Sequence, residues 1–137
     1  MQVINASLIN HKMRKLYSIS NPIFRQTIEN QGCSMNLDGI SPVTGYMVGT
    51  KGNEVKVNVL DFNAGHIDSF IRSNLSPLYD RTYFVGTWID NDVVYMDISV
   101  NCQSKAEALR RGKENGQICI WDVLNKVEIY QLQEETV

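Results

Sequence analysis

A chain of 137 residues, 43% apolar and 20% charged, has the size and composition of one globular domain with its own core. Its net charge of −2 lacks the basic surplus of a duplex nucleic-acid binder, so duplex nucleic acid is not an expected partner. No run approaches the roughly 20 apolar residues that span a bilayer. The early charges His11, Lys12, Arg14 and Lys15 follow apolar residues instead of preceding them, unlike a signal peptide, so a cytoplasmic protein off the membrane is expected.

Residues 1–19 show no clean period and read as an N-terminal arm. The single α+β domain is expected over residues 20–132, with a frayed tail at 133–137. Asn21 as N-cap and Pro22 at the first helical position predict a helix over 22–31, with Phe24, Thr27 and Ile28 on one face and Gly32 closing it. Strands follow at Cys33–Leu37 and Tyr46–Val48. After the turn at 49–53, Val55, Val57 and Val59 alternate with Lys56 and Asn58, which predicts a half-buried strand with the valines on the core. Asn63 or Asp61 caps a second helix, whose stripe is Ile67, Phe70, Ile71, Leu75 and Leu78, with Pro77 marking its end.

Two extended runs flank Asn91-Asp92, residue types that tolerate positive φ, so a two-residue hairpin turn is expected. That turn dictates the pairing: Asp90 with Val93, Trp88 with Tyr95, Gly86 with Asp97, Phe84 with Ser99. One face then carries Tyr83, Val85, Thr87, Ile89, Val94, Met96, Ile98 and Val100, the core face. The other carries Phe84, Gly86, Trp88, Tyr95, Asp97 and Ser99. Ser104 and Glu107 form a capping box for a third helix ended by Asn115-Gly116, with Lys105, Ala108, Leu109 and Gly112 inward. A strand at 118–121 and a turn near Asn125 lead into a last strand from Val127. Strands joined by short turns with helices between them predict a two-layer α+β sandwich: an antiparallel sheet built from hairpins, helices packed on one face.

Catalytic and metal-binding patterns are scarce. Cys33, Cys102 and Cys119 are odd in number and lack C-x-x-C spacing, which argues for reduced thiols rather than disulfides or a zinc site. His66 lies in the first turn of a helix, where the dipole disfavours its cation. Neither a dinucleotide fingerprint nor a P-loop occurs, and Thr50-Lys51-Gly52 falls in a turn between strands instead of before a helix. No catalytic residue, metal or cofactor is assigned, and the expectation is a binding protein, not an enzyme.

The outer hairpin face is the candidate site. Phe84, Trp88 and Tyr95 form an aromatic cluster, Asp97 and Ser99 add polar groups, and Gly86 leaves a gap for a ring or a backbone. The same face would equally suit burial under a loop, under the arm or against another subunit. Arg110 and Arg111 on the third helix, Arg25, Arg72 and Lys56 are candidate phosphate contacts, because guanidinium forks match phosphate oxygens. As ligand walls, Phe84 and Trp88 should matter more for affinity than for stability.

The stretch FVGTWIDNDVVYMDISVNCQSKAEALRRGKENGQICIWDVLNKVEI, with SPVTGYMV upstream, resembles the phage anti-Thoeris sponge proteins over residues 41–129. That resemblance implies sequestration, without degradation, of a cyclic ADP-ribose-type messenger made by TIR-domain enzymes. It also implies a homo-oligomer with pockets between subunits; some family members hold cyclic oligonucleotides too. The family's pocket uses a stacking aromatic, an asparagine and arginines around the phosphates. Phe84 and Asn91 correspond to the first two, Arg25 with Arg110 or Arg111 to the phosphate contacts, and Lys56 stands where a further basic contact is expected. Two other readings compete: a protein-binding inhibitor that masks a host enzyme, with the exposed aromatics as hot spots, and an enzyme acting on a nucleotide.

Overall fold

The structure, a computed structural model, describes residues 19–131. Helix α1 covers 19–30 of these, and the other elements are β1 (Gly32–Met35), β2 (Tyr46–Gly49), β3 (Val55–Asn58), α2 (Ala64–Ser73), α3 (Leu75–Leu78), β4 (Tyr83–Asp90), β5 (Val93–Cys102), α4 (Lys105–Glu114), β6 (Cys119–Asp122) and β7 (Val127–Tyr130). Apart from residue 19, which is helical and buried, the arm assigned to 1–19 and the tail at 133–137 lie outside the described residues. The fold is the expected two-layer α+β sandwich, with one seven-stranded antiparallel sheet in the order β1-β4-β5-β2-β6-β7 and β3 also paired to β5.

The β4–β5 hairpin has the register the sequence dictates, Asp90 opposite Val93 through Phe84 opposite Ser99. Asn91 and Asp92 take φ of 49° and 64°, the left-handed pair of a turn whose twist matches the strands it joins. The far edge of β5 is shared. Its residues 99–102 pair with β2 and its residues 93–96 with β3, both antiparallel. Strands β2 and β3 are therefore two halves of one line, not a hairpin, and residues 50–54 bulge out between them opposite Asp97 and Ile98. Thr50 closes the break by donating its N–H and Oγ1 hydrogens to the Ile98 carbonyl, at 2.8 and 2.9 Å.

Two crossovers place the helices. The chain passes from β3 through α2 and α3 to β4, skipping β5, and from β5 through α4 to β6, skipping β2. Each joins parallel strands. The second runs along oppositely directed strands and travels the opposite way across the sheet, so a common hand puts both sets of helices on the same face. That face carries the core. Ile23 of α1, Ile67, Phe70 and Ile71 of α2 and Leu78 of α3 pack on Val85, Val94, Met96 and Ile98. Ala108 of α4 packs with Val48, Val100, Cys102 and Ile120, and Tyr83 touches both clusters.

Several boundaries move for physical reasons. Ile19 and Ser20 are already helical and buried, so Asn21 lies within α1 instead of capping it. At its end Gln31, not Gly32, takes the left-handed conformation, φ 67°. Gly32 instead begins β1, where a Cβ would sit 2.9 Å from the Thr87 carbonyl. Thr87, a polar residue on the core face, is satisfied by Thr27 of α1, whose Oγ1 lies 2.5 Å from its own. Val55 is exposed, so only Val57 and Val59 of the three valines pack on the core. Helix α2 ends at Ser73, and Pro77 lies within α3 instead of ending α2. Lys105 and Ile118 are exposed, while Ser104 caps α4 by accepting from the Glu107 N–H.

Asp92→Val should cost about 1–2 kcal/mol, because a β-branched residue is strained at φ 64°. Asp92→Gly should stay within about 1 kcal/mol of the parent. Ile98→Ala, on the fully buried centre of β5, should cost about 2–5 kcal/mol. Urea denaturation of the three variants reads all of these.

Candidate functional site

Alternation along the strands that bury one face of the sheet turns the other residues to the opposite side, which no helix among the described residues covers. There lies a concave groove of about 1250 Å³. Its lining draws on β1, β4, β5, β2, β6 and β7, and includes Trp88, Asp97, Ser99, Met47, Trp121 and Tyr130. Trp88 and Trp121 stand at opposite ends of the groove: Trp121 pairs through Met47 with the row of Asn101, six residues along β5 from Tyr95, the partner of Trp88, which sets them roughly 20 Å apart along the strands and roughly 14 Å across them.

One row of the outer face is a continuous stack. Register aligns Lys56, Tyr95, Trp88 and Gly32 across β3, β5, β4 and β1. The Trp88 and Tyr95 rings lie 5.1 Å apart with planes 5° from parallel, and the Lys56 Nζ sits 5.5 Å from the Tyr95 centroid. Gly32, at the far end of the row, leaves Trp88 without a side chain beside it on β1.

The next row holds the electrostatic centre. Asp97 is 9% exposed, opposite Gly86 and beside the break between β2 and β3. A Cβ at Gly86 would collide with Asp97 Oδ1, so glycine is required there for the carboxyl to lie flat on the sheet. Ser99 Oγ donates to Oδ1 at 3.3 Å. Burial pushes the Asp97 carboxyl up to about 7; the Ser99 hydrogen bond opposes this and the Glu54 charge adds to it.

The remaining candidate residues do not converge on the groove. Phe84 shares the outer face but is 6% exposed and does not line the groove, so it is packed instead of presented. Asn91 is exposed in the hairpin turn. Arg25 lies on α1 in a separate shallow hollow with Pro22, Gln26 and Glu29, and only Gln26 is shared with the groove. Arg110 and Arg111 belong to α4 in the helical layer and pair with Glu114 at 2.9 Å and Glu107 at 3.3 Å. Arg72 pairs with Asp68 at 2.8 Å. Lys56 touches the groove's aromatic row from β3, and the lysine that lines the groove is Lys126, in the turn before β7.

Sequence reasoning missed Lys126, Trp121, Tyr130 and Gln117. The outward alternation of Trp121 in β6 and Tyr130 in β7 was readable; that β6 joins β2, which brings these residues into one groove and Gln117 close to Asp97, was not.

Nucleophiles are held back. Burial raises all three thiols, Cys33 to about 11, and Cys33 Sγ donates to Gln26 Oε1. His66 Nδ1 accepts the Asn63 N–H in the capping box of α2. Among the described residues no group of three His, Cys, Asp or Glu side chains could hold a metal ion, and no helix is long and apolar enough to cross a membrane.

The class these features define is an α+β domain with an open, ligand-sized sheet face. Comparison with protein-family models, with curated proteins and with solved structures finds no match to this chain.

The Asp97 carboxyl sets a pH dependence. Its folded-state value of about 7 stands above the ordinary 3.8, so between these limits the folded chain binds more protons than the unfolded one. Its contribution to stability therefore falls as pH rises through that window. Asp97→Asn should remove this component. Relative to the variant, the parent should lose up to a few kcal/mol from about pH 4 to pH 8 in denaturant titrations, and a constant difference would show an ordinary carboxyl.

Proposed function

We propose that this chain is a non-catalytic binding protein that sequesters a cyclic ADP-ribose-type nucleotide messenger on its open sheet face, as a phage anti-defence sponge in the host cytosol. The observation that carries the reading is the groove itself: a concavity of about 1250 Å³ lined by Trp88 and Trp121, with glycines and a buried carboxyl in its floor. A base needs a flat apolar wall and a few convergent polar groups, and stacking alone contributes about 1–3 kcal/mol. His66, engaged in a helix cap, and the raised thiols of Cys33, Cys102 and Cys119 suit retention of the ligand unchanged.

Phosphate contacts are the part that one copy of the chain supplies least. Lys126 lines the groove and Lys56 stands beside its aromatic row, whereas Arg110 and Arg111 face away in the helical layer. Contacts from those arginines require a second copy, which is why the proposal includes a homo-oligomer.

A second reading has its own observation. The groove presents Asp90, Asp97 and Glu128 against Lys126, an acidic balance that suits a basic segment of a host enzyme masked by this chain.

A thermal-shift screen against cyclic ADP-ribose isomers and cyclic di- and trinucleotides tests the first reading. A ligand at 100 times its dissociation constant should add about 2.7 kcal/mol of apparent stability, and heating should release it intact. Trp88→Ala should weaken that ligand about tenfold or more, whereas Phe84→Ala, emptying a buried site, should instead cost about 3–5 kcal/mol of stability. No shift with any nucleotide, together with a stoichiometric host-enzyme complex that dissociates as salt is raised, moves the conclusion to the second reading.

A further inference from the structure

We infer that the floor of the groove around Asp97 is a recognition slot for a planar amidine-type group, the N–C–N edge shared by aminopurine bases, amidines and guanidinium ions. This deepens the binding-face reading and rests on the groove being the site.

The slot is made by what two strands omit. Gly86 on one side of Asp97 and Gly49 on the other carry no side chain, and the chain bulges at 50–54 where a continuous strand would have faced Asp97. Asp97 Oδ1 is held by Ser99, while Oδ2 lies toward Gly49 and has no hydrogen-bond partner among the described residues. A Cβ at Gly49 would sit 2.7 Å from Gln117 Oε1 and 3.2 Å from Asp97 Oδ2, so the two acceptors lie close together against the Gly49 backbone on the groove floor. Gln117 is oriented by its amide nitrogen, which donates to the Thr50 carbonyl at 3.5 Å and leaves its oxygen on the Gly49 side. A ligand N–H on Oδ2 would replace the solvent that this oxygen still meets in the groove. Two neighbouring acceptors on the groove floor select a flat group with adjacent N–H donors.

The protonation state of Asp97 decides which amidine is taken. The protonated carboxyl donates and accepts together, the complement of the neutral edge of an aminopurine, which offers one N–H and one ring nitrogen. The ionised carboxylate accepts only and complements a cationic amidinium or guanidinium. The charged groups near the slot are Glu54, which raises the Asp97 carboxyl, and Asp90, Glu128 and Lys126 along the groove; Cys119 and Tyr130 are its other titratable lining groups.

Tryptophan fluorescence of the full chain, titrated with adenosine and with benzamidine at about pH 6 and about pH 8.5, tests this. With a carboxyl titrating near 7, adenosine should bind about tenfold or more tighter at the lower pH and benzamidine about tenfold tighter at the higher. Asp97→Asn keeps one donor and one acceptor in place. It should retain adenosine, lose the pH dependence and lose benzamidine, and its melting curve reports that it is folded. Binding of adenosine alone identifies the source as a nucleobase, and of benzamidine alone as a guanidinium-bearing ligand. If both probes bind parent and variant alike without a pH slope, the slot is overturned. If neither binds while a nucleotide from the thermal-shift screen quenches the tryptophans, the slot fails and the groove reading stands. If no compound binds at all, both fail.

Discussion

The register of β4 on β5 is the constraint from which the rest follows. Strand side chains alternate with a period of two, so a slip of one residue would exchange the core face for the open face. The Asn91-Asp92 turn removes that freedom, because a two-residue loop with both residues at positive φ permits one pairing. Once Gly86 is opposite Asp97 and Trp88 opposite Tyr95, Val94, Met96, Ile98 and Val100 of β5 all face the helices. Every strand of the sheet is then ordered about β5, through β4 on one edge and the β2–β3 line on the other.

Single-sided helical cover follows from topology. Two crossovers of one hand, travelling in opposite senses along oppositely directed strands, bury the same face and leave the other open. An open sheet face normally becomes polar. Here it keeps Trp88, Tyr95, Met47 and Trp121 together with a nearly buried carboxyl. Trp121, 39% exposed, gains little for folding from that placement, and Asp97 opposes folding at neutral pH through its desolvation. Such a combination is what a binding surface has and a purely structural one avoids.

Charge separates the parts of the site. Acidic groups and aromatic rings are gathered in the groove, while Arg110 and Arg111 are spent on ion pairs within α4, one turn from their partners. A single copy therefore presents a base-like or cationic recognition surface more readily than a diphosphate clamp. Under the proposed nucleotide sequestration, phosphate neutralisation would fall to Lys126, Lys56 and a neighbouring copy.

Local chemistry alone determined the elements with self-contained signals: the Asn91-Asp92 hairpin and its register, Asn63 and Ser104 as helix caps, Asn115-Gly116 as a helix end, and the alternation that separates Ile98 from Asp97. Each depends on residues within a few positions of one another, so the sequence displays them. It also placed Trp88, Tyr95, Asp97 and Gly86 on a common face. Tertiary structure decided whatever depends on distant segments. That β2 and β3 share one edge of β5 instead of pairing together, that Gln117 and Gly49 complete the surroundings of Asp97, and that Arg25, Arg110 and Arg111 stand away from the groove all follow from long-range strand order. Strand pairing between remote segments is selected by the summed burial of the whole sheet, a quantity that no local window of residues contains.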